Sequence, residues 1–166
     1  TVHYIKEVNL PHLKYLVADL SFSFGYKGGD SVKDIINSSS SYVKGELCIP
    51  IPCVNDFLIH LCANLYKEAS EYPFIRLKRD MMLYKYCDIQ FLLNRSGMPD
   101  AAGFVRRAEA LGLADACYYA LNSVYELFSD KVCKAMKDML APYADRSVMV
   151  KVFSPEEKKL YIYDES

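Results

Sequence analysis

Apolar and polar positions alternate in the opening residues and recur every three or four residues in the second third of the chain. Val2 to Val8, "VHYIKEV", has the two-residue period of a short strand. Asn9-Leu10-Pro11 breaks it. Tyr15 to Phe24 predicts a second strand, with Leu16, Ala18, Leu20, Phe22 and Phe24 on one face and Val17, Asp19, Ser21 and Ser23 on the other. Gly25 to Gly29 reads as a loop in which Gly28-Gly29 can take positive φ. A short helix over Ser31 to Asn37 and a Ser38 to Ser41 linker follow. Val43 to Ile51 is extended, and Pro50 and Pro52 confine it to an edge.

From Cys53 the period changes to that of amphipathic helices. The first is predicted to start at Asn55 as N-cap, with Phe57, Leu58, Leu61 and Leu65 on its inner stripe. Glu71-Tyr72-Pro73 folds a second helix, Phe74 to Arg95, back on it, burying Ile75, Met82, Tyr86, Ile89 and Leu93. Ser96-Gly97 stops that helix, and Asp100 caps a third that carries Phe104, Val105, Ala108 and Leu111 and closes at Gly112. A fourth runs from Ala114 or Asp115 to Phe128, with Cys117, Ala120, Leu121, Val124 and Leu127 inward. A fifth runs from about Ser129 to Leu140. Val148 to Phe153 and Leu160 to Tyr163, joined by "SPEEKK", have the pattern of a terminal hairpin. The expected fold class is α+β, mainly α: a small N-terminal β region (1–52), a five-helix bundle (53–142) and a C-terminal β-hairpin (143–166).

The chain has 166 residues, room for one ordinary domain. Its formal net charge of -1 gives no general pull toward nucleic acid or anionic lipid, so neither is an expected partner. No apolar run approaches the ~20 residues that span a bilayer, and no signal peptide opens the chain. Six cysteines show no CxxC pair and no close His/Cys cluster; reduced thiols and a cytoplasmic protein are expected. The first residue is Thr1, with strand-like sequence directly after it, which suggests a fragment or a processed piece.

Asp19 is the carboxylate of most interest, lying mid-strand among apolar neighbours in "VADLSF". It either helps hold a divalent metal, with Glu7 and Glu46 as companions, or faces solvent from an edge strand. Arg76, Lys78 and Arg79 either meet phosphates or form a solvated face, with Arg76 and Asp80 spaced i,i+4. Asp88, beside an apolar stripe, reads as a buried capping or pairing carboxylate. His60 and Asn64 share a helix face and read as a buried polar contact. Arg106, Arg107 and Glu109 read as a solvated face. No Walker loop, GxGxxG, GxSxG or HExxH is present.

Three stretches carry a family resemblance: "PCVNDFLIHLCANLYKEA", "RLKRDMMLYKYCDIQFLLNR" and "FVRRAEALGLADACYYALNSVYELF". They resemble the C-terminal half of the uncharacterised nucleotidyltransferase family in the polymerase-β-like superfamily, over about Asp19 to Phe128. Asp88-Ile89 fits that family's Asp-Ile element, and Ala108 to Leu113 its Ala-x-x-x-Gly-Leu turn. Asn64 stands where the family often has histidine. The family's Gly-Ser turn and Asp-x-Asp strand are absent, and Asp19 fits its third carboxylate, although Ser21 stands where histidine often follows. The resemblance implies nucleotidyl transfer from an NTP to a hydroxyl acceptor with Mg2+. It gives Asp19 a metal or base role and makes Arg76, Lys78 and Arg79 the nucleotide-phosphate candidates. It also implies a missing catalytic half, upstream or on a partner chain, without which this chain is inactive and binds neither NTP nor Mg2+. The alternative is a non-catalytic helical interaction module. An exposed strand edge further suggests a homodimer.

Overall fold

The computed structural model describes residues 2–20, 31–78, 82–95, 100–154 and 159–162. Strands β1 (Val2–Leu10) and β2 (Leu13–Leu20) form an antiparallel ribbon in which Val2 faces Leu20, Ile5 faces Val17 and Glu7 faces Tyr15. The register shifts between Glu7 and Leu10. The expected continuation of the second strand through Phe24, and the Gly28-Gly29 loop, lie outside the described residues. Helix α1 (Ser31–Asn37) is present as the pattern predicts.

The expected single extended segment is instead a second ribbon. Strands β3 (Ser40–Lys44) and β4 (Leu47–Ile51) pair antiparallel, and Gly45 supplies the positive φ (61°) that the tight turn requires. The serine tract therefore contributes its last two residues to a strand.

The body is built on α2 (Val54–Ser70), α4 (Leu83–Arg95), α5 (Ala101–Ala110), α6 (Ala114–Phe128) and α7 (Lys131–Leu140). Helices α2 and α6 pack along each other at its centre, with α7 against α6 and α4 and α5 at the flanks. Leu58, Ile59, Cys62, Leu65, Tyr86, Ile89, Leu93, Phe104, Cys117, Leu121, Val124, Met136 and Leu140 form one continuous core. These positions repeat at three and four residues, which is why each helix buries one stripe.

Two local features, the Asp100 cap and the Gly112 helix end, were legible in advance. Asp100 caps α5 by accepting from Gly103 N at 3.0 Å. A Cβ at residue 103 would overlap the Asp100 Oδ2 that folds over it, so the cap and the glycine go together. Gly112 (φ 66°) ends that helix in the left-handed region, the Leu113 amide reaching back to the Ala108 carbonyl at 2.8 Å.

Other expectations are corrected. Asn55 does not cap the first long helix; Cys53 holds that position, and the Asn55 amide donates to the Asp100 carbonyl at 3.4 Å. The predicted Phe74–Arg95 helix is broken into α3 (Tyr72–Arg76) and α4. Leu77 caps α3, Lys78 turns into the left-handed region (φ 55°), and Met82 is exposed before α4 begins. Phe57 and Leu127 are exposed rather than inward, Leu127 at 52%. Ser129 is the left-handed cap of α6 and no part of α7, whose N-cap is Asp130, accepting from Val132 N and Cys133 N. Arg146–Val150 forms a 3-10 turn that buries Val148, where a strand was expected. Beyond it, β5 (Lys151–Ser154) and β6 (Lys159–Ile162) pair antiparallel, and the joining residues 155–158 lie outside the described ones. No helix among the described residues is long and apolar enough to cross a membrane.

Candidate functional site

Asp19 lies near the end of β2, opposite His3. Its expected companion Glu7 faces Tyr15, four positions away along the same ribbon. At about 3.3 Å per residue that is ~13 Å of strand, far beyond the span of one metal ion's ligands. Glu46 sits on the other ribbon, in the turn between β3 and β4, and is exposed. Among the described residues no group of three or more His, Cys, Asp or Glu could hold a metal ion. The described residues thus do not fit a magnesium site.

Arg76 and Lys78 are exposed at the C-terminal end of α3. The neighbouring Lys67 ammonium lies 5.9 Å from the centre of the Phe74 ring, in a cation–π contact that ties α2 to α3. Arg79 lies outside the described residues, as does Asp80, the expected partner of Arg76.

The most developed polar junction was not singled out from the sequence. Asp56, in the first turn of α2, is 2% exposed. Its Oδ1 accepts from Arg107 Nε of α5 at 2.8 Å, and its Oδ2 from Ser38 Oγ, just after α1, also at 2.8 Å. Ser38 Oγ further lies 3.1 Å from the Ile35 carbonyl. Burial pushes the Asp56 carboxyl up, but hydrogen bonds from Arg107 and Ser38 and the Arg107 charge together hold it below the ordinary carboxylate value. The guanidinium is correspondingly raised, first by its bond to Asp56. The carboxylate is held in its ionised form, each oxygen accepts from a donor of this chain, and at 2% exposure it is closed off from solvent. Its chemistry is that of a joint: it ties α1 to α2 and α5, three segments far apart in sequence. Arg107 Nη2 is buried and makes no hydrogen bond within the protein.

Arg107 had been expected on a solvated face, and the correction has a legible cause. Asp56 stands three residues before Ile59 and seven before Ala63, on the buried stripe of α2. Arg107 stands three after Phe104 and one before Ala108, beside the stripe of α5. Two opposite charges on two apolar stripes were the available signal. A second joint, Glu68 with Lys85, links α2 to α4 with both side chains nearly buried.

Asp88 is exposed, against the expectation that it is buried. His60 and Asn64 are also exposed, where a buried pair was expected. Cys62, Cys117 and Cys133 are fully buried, on α2, α6 and α7. Burial raises the Cys62 and Cys133 thiols far above the usual range, so they are core side chains and not nucleophiles.

Residues 21–129 match a family model described as uncharacterised nucleotidyltransferase. That span runs from the end of β2 through α6 and includes the Ser38–Asp56–Arg107 junction. No curated protein and no solved structure matches the chain.

Proposed function

This chain belongs to the uncharacterised nucleotidyltransferase family, and on that premise we propose that it serves the transfer of a nucleotidyl group from an NTP to a hydroxyl acceptor. The observation that carries this reading is the family match over residues 21–129, which covers the central helix pair and its junction with α1. In the proposed reaction the acceptor oxygen bonds to the α-phosphorus and the bond to the departing pyrophosphate breaks. The hydroxyl proton passes to a carboxylate, for which Asp19 is the candidate. Such a base contributes about 10²–10⁴-fold to rate. Arg76, Lys78 and Arg79 are the candidates for meeting the phosphates. Nucleotide and metal use follow from the family in general, and the described residues do not themselves fit a metal site. The other catalytic carboxylates would therefore come from outside the described residues, in the same polypeptide or a partner chain. Six free cysteines accord with a reduced, cytoplasmic protein.

Thermal unfolding with magnesium and ATP tests nucleotide binding. In the protein assembled with its remaining catalytic carboxylates, ligand at ~100 times its dissociation constant should stabilise by about 2.7 kcal/mol, and no shift of that assembly at any nucleotide concentration would count against the reading. Where transfer is measured, Asp19→Asn should abolish it without lowering the melting temperature.

A second reading, a non-catalytic interaction module, is favoured by one observation. Both ribbons expose large apolar residues, among them Ile5, Leu16 and Val17 on the first and Tyr42, Leu47 and Ile49 on the second. Chain that binds a partner protein but never nucleotide would decide for it.

A further inference from the structure

The β1–β2 ribbon packs chiefly on itself, while the helices pack on one another. Among the described residues it is a two-stranded sheet, so β1 and β2 each keep one unpaired edge. Two strands alone are marginally stable in water, and three or more are needed for independent stability. Ile5 is 68% exposed, and Tyr4, Lys6 and Glu7 beside it are exposed as well.

The edge of β1 has the composition of a self-complementary strand. In an antiparallel pairing about a twofold axis normal to the sheet, each face stays on its own side. Facing residues must then differ in number by an even amount. Centred on Ile5, this sets Ile5 against Ile5, Tyr4 against Lys6, His3 against Glu7 and Val2 against Val8 of a second copy. Apolar meets apolar, the ammonium meets a ring, and the carboxylate meets an imidazole, each polar pair occurring twice. Centring on Lys6 or on Glu7 would put like charges together on the axis, and centring on Tyr4 would set Lys6 against Val2. The outer edge of β2 is less suited, since its aligned central registers set Lys14 against Leu20 or Ala18. Strand β4 carries Pro50, which has no amide hydrogen to give.

We propose that β1 is a homodimer interface, in which two copies of this chain pair antiparallel about Ile5 to make a four-stranded sheet. This does not depend on nucleotide chemistry. Sedimentation of the full chain from about 1 to about 100 µM should show a rise toward twice the 19.0 kDa chain mass. Ile5→Lys, which sets two ammonium groups on the axis, should leave it monomeric with unchanged helical circular dichroism. Glu7→Lys alters both symmetric pairs and should weaken the dimer about tenfold. The double variant His3→Glu with Glu7→Lys should restore it. A wild-type chain that stays monomeric throughout the range overturns the proposal. So does a dimer indifferent to Ile5→Lys and Glu7→Lys, or a loss in Glu7→Lys that the double variant fails to restore.

Discussion

Replacing Arg107 with alanine tests the junction between α1 and the helical body most directly. Asp56 is 2% exposed, and its oxygens are taken by Arg107 Nε and Ser38 Oγ, each at 2.8 Å. Without the guanidinium, a buried carboxylate keeps one hydroxyl donor and no counter-charge. Breaking a buried pair from one side costs about 3–5 kcal/mol. The Arg107 side chain is 27% exposed, so water can enter the space it leaves, and the lower end, about 3 kcal/mol, is expected. For a chain of this length that lowers the melting temperature by about 10 °C.

The pH dependence fixes the sign. In the wild type the Asp56 carboxyl is held below its ordinary value, so its contribution is complete above the unfolded carboxylate pKa and is lost as pH falls through the folded one. Without Arg107, burial acts on Asp56 opposed only by the Ser38 bond and the weaker neighbouring donors, and the carboxyl rises. The variant then regains stability relative to wild type as acid neutralises Asp56. Urea unfolding followed by circular dichroism near pH 7 and about pH 5 should show the difference narrowing toward acid, with similar m values. A loss below about 1 kcal/mol near pH 7 would mean that the pair behaves as a surface one and would refute the reasoning. A loss independent of pH would do the same. Arg107→Lys, which keeps the charge and loses the fork, should recover part of the stability.

Asp130→Ala removes the side chain that receives the Val132 and Cys133 amides and should cost about 1 kcal/mol in urea unfolding. Gly112→Ala should cost about 1–2 kcal/mol from backbone strain alone, because nothing lies within 4 Å of the added Cβ. Its melting temperature should drop with no change in the helical spectrum. Native chain titrated with an aromatic disulfide should react rapidly at Cys48, Cys53 and Cys87, and Cys62, Cys117 and Cys133 should respond only on denaturation.

The five long helices were readable because each is an amphipathic segment with local signals at its ends. Asp100, Gly112 and the apolar spacing of α6 act within one or two turns, so one stretch of sequence contains both cause and effect. The break between α3 and α4 was not readable in this way. "RLKRDMML" has no glycine and no internal proline, and local preference favours a continuous helix. What ends α3 is its docking against the end of α2, with Lys67 over Phe74, and the left-handed turn at Lys78. Tertiary contact overrides propensity there. The candidate site divided similarly. Residue type drew attention to Asp19 and to the basic run, but only strand register showed Glu7 to lie four positions out of reach.

The sequence by itself determined the class of this protein, mainly helical with short strands ahead, because hydrophobic period and caps are local properties. It also carried the words that place the chain in its family. Only the tertiary structure decided which charges are partners. Asp56 and Arg107 stand 51 positions apart and Ser38 stands 18 before Asp56, so nothing short of the folded helix crossing brings them together. An ion pair depends on distance and on exclusion of water, and both are set by the packing of whole elements.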